Sequence, residues 1–168
     1  MRRIALVLAP LALGLALSAC QKQASAPAAA ASNGPEAKPG VAVSGGTLVL
    51  PAVKGNPGVA YFDVANSDAK AVALAAVAVD GAAKAEMHQT TGGSMGPVDR
   101  VEIDPNTSVK FAPGALHVML FDLDPKLTAG GSAEMTLTFA DGDKISAPLA
   151  IKAAGDAAMD GMDMGAKH

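Results

Sequence analysis

Cysteine is almost missing from this chain: Cys20 is the only one in 168 residues. An intrachain disulfide, a redox-active cysteine pair and a thiolate metal cluster are therefore all excluded. Positive charge is scarce as well, with 13 Lys and Arg against 16 Asp and Glu. Setting aside Arg2 and Arg3 at the extreme N-terminus takes the formal charge from −3 to −5 (−3 − 2), which argues against nucleic acid and against adhesion to an anionic membrane surface. A membrane-spanning helix needs roughly 20 apolar residues in a row. The longest apolar run here, "IALVLAPLALGLAL", is shorter and is interrupted by Pro10. No G-x-G-x-x-G, P-loop or internal repeat occurs.

The N-terminus instead pairs two arginines with that short apolar run and closes it with "LSAC", the layout of a secretory signal. Leu17 to Cys20 resembles the lipobox of bacterial lipoproteins. That resemblance implies that residues 1–19 are a signal peptide and that Cys20 is lipidated, anchoring the chain to a membrane of the bacterial cell envelope and facing the periplasm. Gln21, standing where Asp would mark inner-membrane retention, favours the outer membrane. The plainer reading is an ordinary cleaved signal. Residues 20–40 are rich in Ala, Pro, Ser and Gly and read as a flexible tether; at about 3.1 Å per residue it reaches roughly 60 Å. Residues 41–152 form one domain, and residues 153–168 a tail holding Met159, Met162, Met164 and His168.

Within the domain, short apolar runs are separated by Gly, Pro, Asn and Asp. "VAYFDVAN", "AVALAAVAV", "AKAEMHQ", "SVKFA", "LHVMLFDL" and "DKISAPLAI" read as strands, as do "TLVLPAV" and "VDRVEI". In "AEMTLTFADGDKISAPL", Met135, Leu137 and Phe139 alternate with polar residues before a "DGD" turn, which is the pattern of a hairpin. The Ala-rich run 69–85 has helical propensity, but Val72, Val77 and Val79 favour strand. The expectation is a single all-β domain, a β-sandwich or Greek-key barrel.

"GGSMG" contains Gly92, Ser94 and Gly96, the G-x-S-x-G of a hydrolase nucleophile elbow. That elbow needs a strand before the serine and a helix after it. Pro97 and another strand-like run follow instead, so the match is read as a turn and no enzymatic activity is expected.

Histidine and methionine keep company throughout. His88 precedes Met95, His117 precedes Met119 by two residues, and His168 follows the methionines of the tail. On a strand, His117 and Met119 share a face about 6.6 Å apart, close enough for a flexible thioether to converge with the imidazole on one ion. Two imidazoles and two thioethers, His88, Met95, His117 and Met119, form a soft donor set that suits Cu(I) better than Zn(II), Ca(II) or Mg(II). A blue-copper electron carrier would need a cysteine. Taken singly, each residue has a duller explanation. A methionine usually fills a core, as Met135 is expected to, and a histidine is more often satisfied at the surface. Met87 would point away from His88 and so reads as packing. Spacing alone leaves metal site and packing both open.

"MHQTTGGSMGPVDRVEIDPNTSVKFAPGALHVMLFDL" resembles the periplasmic copper chaperones of the PCuAC family. Their pattern runs from a first His through a downstream Met to H-x-M, and Met95 and His117 enclose the family's spacer of 21 residues. The likeness extends from "GVAYFDVAN" to "ADGDKISAPLAI". The six residues between His88 and Met95 make a shorter gap than the usual family one. The resemblance implies a cupredoxin-like β-sandwich that binds Cu(I). It also implies delivery to the CuA subunit of cytochrome c oxidase, directly or with a Sco-type thiol protein. Met159, Met162, Met164 and His168 look like the extensions that hold a second copper in some relatives. Two other readings stand beside it: an envelope copper buffer without an oxidase acceptor, and a metal-free lipoprotein interaction module. Imidazole ligands must be neutral, so copper affinity is expected to weaken on acidification.

Overall fold

Alternate apolar positions drive the chain into ten strands, because a period of two buries one face and solvates the other. A computed structural model describes residues 38–156. The strands are β1 (Val41–Val49), β2 (Gly58–Asn66), β3 (Val72–Val79), β4 (Ala82–Thr91) and β5 (Ser94–Pro97), followed by β6 (Val101–Ile103), β7 (Thr107–Phe111), β8 (Leu116–Leu123), β9 (Ser132–Phe139) and β10 (Lys144–Lys152). They hydrogen-bond in the order β5-β4-β8-β7-β2-β1-β10-β9-β3-β6, with a further pairing of β8 to β2. This ladder folds over on itself as a cupredoxin-like β-sandwich, and both halves share one core.

The fold-over happens at β1. Its register shifts between Ser44 and Thr47, and beyond the shift Thr47 to Val49 pair with β2 on one side and, in parallel, with β10 on the other. Gly45 and Gly46 make this possible. Gly45 takes a positive φ of 66°, and a Cβ on Gly46 would stand 2.4 Å from the carbonyl oxygen of Pro148.

Val118 and Leu120 of β8 and Met87 of β4 enter the core from one half. Leu74, Met135, Leu137, Phe139, Ile145 and Leu149 enter it from the other. Phe62 and Phe111 stack at 4.3 Å in the same core. Each fully buried side chain of this size contributes roughly 1.5–3 kcal/mol.

β9 and β10 pair antiparallel as the expected hairpin, and Met135 is fully buried, as its alternation implied. The Ala-rich run is strand: pairing with β6 and β9 on either side outweighs the helical propensity of alanine. Strand limits differ in three places. Only Thr47–Val49 of "TLVLPAV" is strand, the end of one that begins at Val41; "VDRVEI" contributes only Val101–Ile103; and Ser94–Pro97, read as a turn, forms the short strand β5. Asn66, the last residue of "VAYFDVAN", is buried and donates through Nδ2 to the carbonyls of Lys70 and Ile103 while its Oδ1 accepts from Asp68 N–H. Lys38, in the stretch read as tether, is also buried and pairs with Asp141 and Asp143 in the β9–β10 turn.

Candidate metal centre

The site is built on the outward face of three neighbouring strands, β5, β4 and β8. In β4, Ala85 and Met87 turn toward the core, so Glu86, His88 and Thr90 face out. Met87 is thus a packing residue. In β8, Val118 and Leu120 take the core side and leave His117, Met119 and Phe121 outward. The antiparallel register sets His88 directly opposite His117 and Glu86 directly opposite Met119. Their ring centroids place the two imidazoles 6.0 Å apart.

Met95 arrives from the other side of β4. The gap of six residues after His88 is closed by a hairpin in which Thr91 pairs with Ser94 and the turn is Gly92-Gly93, with φ of 59° and 83°. Two positive φ values in succession are what a tight hairpin of this hand requires, and glycine supplies them without strain. The short loop therefore tightens a turn and still sets Met95 opposite Thr90, on the same face as His88. Ser94 of the G-x-S-x-G match sits just after the turn, exposed, with no helix behind it. The strand–serine–helix geometry of an elbow is absent at this position.

Hydrogen bonds define which nitrogen of His117 is free. Its Nδ1–H donates to the carbonyl of Ala115 at 2.9 Å, which leaves Nε2 with its lone pair in the neutral ring. Nε2 faces Sδ of Met95 at 3.0 Å. A neutral ring with its one proton committed to Ala115 has none to share with the thioether, so two electron-pair donors face the same small space. That arrangement suits a soft cation. His117 is buried while Met95 is 54% exposed, so one donor is rigid and the other sits at the mouth. Nδ1 of His88 is buried with no hydrogen-bond partner. Its Nε2 lies 3.3 Å from Glu86 Oε2, and Lys84 Nζ holds the other oxygen of Glu86 at 2.6 Å. Lys84 first, and then His88, keep the Glu86 carboxyl below the usual range.

All four residues singled out from the sequence, His88, Met95, His117 and Met119, thus stand on one face. Their chemistry fits a Cu(I) ion, which takes imidazole and thioether donors. Glu86 was missed, because the donor set was assembled from His and Met alone. The period-two signal that excluded Met87 would have found it, two residues before His88. Cys20, Met159, Met162, Met164 and His168 lie outside the described residues. A groove of about 640 Å³ between Leu50–Asn56 and Asp122–Leu127 shares none of the site residues and offers no comparable donor set.

Comparisons with known proteins bear on the family and the fold. A family model described as LpqE-like matches residues 41–151. The copper-bound PCuAC domain from PmoF2 superposes with a TM-score of 0.59 at 24% identity, covering 68% of this chain and 93% of that domain. The apo PCuAC domain from PmoF1 gives 0.59 at 27% identity, covering 68% and 94%. A curated relative, the uncharacterized protein RP573 of Rickettsia prowazekii, is 30% identical over 102 residues, 57% of this chain. The match spans only 55% of that relative's length.

Proposed function

The chain belongs to the LpqE-like family and has the fold of PCuAC domains, and from that premise we propose that it is a copper-binding chaperone carrying Cu(I) on His88, Met95, His117 and Met119. The observation behind this reading is the convergence of His117 Nε2 and Met95 Sδ at 3.0 Å. The copper-bound state of the PmoF2 domain supports it. Copper is here a cargo, and the protein carries out no chemistry on it.

Release follows from the exposure of the donors. Met95 is the ligand an acceptor meets first, and a thioether is a weak, neutral donor that a competing thiolate or imidazole can displace. His117, held by Ala115, retains the ion until a second donor arrives. Loss by stages avoids a free ion in solution. We assign delivery to the CuA centre of a respiratory oxidase, directly or through a Sco-type thiol protein. We place the site within the cell envelope, on a chain anchored through Cys20. The outer membrane is the favoured leaflet, and Met159, Met162, Met164 and His168 are proposed to hold a second copper.

The test is a titration of Cu(I) against a competing chelator under reducing conditions, alongside a variant truncated before Met159. One tight equivalent surviving truncation places the site in the β-sandwich. No binding rejects it. A deletion strain then decides the acceptor: loss of oxidase activity at low copper supports delivery, and copper sensitivity with normal oxidase activity supports buffering.

A further inference from the structure

Glu86 stands at the edge of the site without being one of its soft donors. Its two oxygens have separate partners. Oε1 accepts from Lys84 Nζ at 2.6 Å, and Oε2 lies 3.3 Å from His88 Nε2. Lys84, Glu86 and His88 follow one another at alternate positions along β4, so this chain of contacts runs along one face of one strand. Lys84 is itself placed over the ring of Phe121, 5.7 Å from its centroid. The carboxylate is therefore pinned on one side and presented to His88 on the other.

Building on the copper reading above, we infer that Glu86 is a positioning residue: it accepts the Nε2–H of His88 and so reserves Nδ1 of that ring for the metal. A carboxylate oxygen can only accept, so its imidazole partner must carry the proton on Nε2. The buried Nδ1 is then the lone-pair nitrogen, and it is the atom without a partner. His117 is arranged the opposite way, with Nδ1–H on the Ala115 carbonyl and Nε2 toward Met95. The two imidazoles thus offer different nitrogens, each set by a hydrogen bond on the far side of its ring. Metal-bound histidines ordinarily donate their second N–H to a carboxylate or carbonyl, which orients the ring and raises its basicity. One of each is present here. Glu86 also supplies a negative charge beside four neutral donors, which offsets the charge of the bound ion.

The experiment is long-range proton–nitrogen NMR on the full chain labelled with nitrogen-15, first without metal and then with Ag(I) as a diamagnetic stand-in for Cu(I). His88 should appear as the Nε2–H tautomer and His117 as the Nδ1–H tautomer. Silver coupling should fall on Nδ1 of His88 and on Nε2 of His117. Glu86→Leu should return His88 to a mixture of tautomers and weaken Cu(I) binding about 10–100-fold. Glu86→Gln, whose amide oxygen still accepts, should lose less and keeps the comparison valid should the leucine variant misfold. Silver on Nε2 of His88, or Cu(I) affinity unchanged in Glu86→Leu, would overturn the inference and leave the copper reading standing. Failure of wild-type protein to bind either ion would overturn the copper reading, and this inference with it.

Discussion

His117 Nε2 and Met95 Sδ lie 3.0 Å apart although β4 runs between their strands. At about 4.8 Å per strand spacing, the thioether and the imidazole must each lean over β4 to meet.

Met95→Leu keeps that reach and removes the sulfur. Cu(I) affinity should fall at least tenfold, equivalent to about 1.4 kcal/mol, in a chelator competition. The thermal midpoint should hardly change, because Met95 is more than half exposed at 54%. An unchanged affinity would remove Met95 from the ligand set.

Replacing His117 by Ala together with Met119 by Leu should abolish tight Cu(I) binding. His117 is buried and hydrogen-bonded, so some stability is lost as well. Circular dichroism on the same sample separates an emptied site from an unfolded one. Full Cu(I) binding in a folded double variant would reduce "HVM" to strand packing.

Lys38 predicts a pH signature. Burial works to lower its pKa, but hydrogen bonds from Lys38 to Asp141 and Asp143 outweigh that and raise it, and the same contact first of all lowers the pKa of Asp141. A raised lysine contributes stability that is complete below its ordinary 10.5 and is lost as pH climbs through the raised value. A depressed aspartate contributes stability that is complete above its ordinary 3.8 and is lost as pH falls through the lowered value. Lys38→Met should therefore melt earlier than wild type at neutral pH, and the difference should shrink at both acid and alkaline extremes. A difference constant across pH would mean that packing, and not the ion pair, is what Lys38 contributes.

Gly46→Ala should destabilise the domain by roughly 1–3 kcal/mol in urea denaturation, since the new methyl meets the Pro148 carbonyl oxygen at 2.4 Å and either β1 or β10 must move. Gly55→Ala, at a positive φ of 92° but with nothing within 4 Å, tests conformational strain without the clash.

Removing the Asn66 amide by Asn66→Ala leaves the buried Ile103 carbonyl without that donor and frees the Asp68 N–H. A cost of about 1–3 kcal/mol is expected. Retained stability would show that water replaces the amide.

How much of this could be read in advance depended on how local the cause was. Period-two alternation in "AEMTLTF" and "LHVMLFDL" already decided which side chains face the core, because a strand turns successive residues to opposite faces. The same rule assigned Met87 to packing and put His117 beside Met119. A single cysteine excluded an intrachain disulfide and a cysteine cluster, and it left His and Met as the soft donors at hand. The pairing of β4 with β8, however, joins segments about 30 residues apart, and it alone sets His88 opposite His117. Which nitrogen each ring offers depends on Ala115 and Glu86, hydrogen bonds with no periodic signature. The folding of the ladder at Gly45-Gly46 and the burial of Lys38 are likewise long-range events. Residue types and their faces follow from the covalent chain and its pleat; bringing His88, Met95, His117 and Met119 to one face of adjacent strands required a register that only the packed sandwich selects.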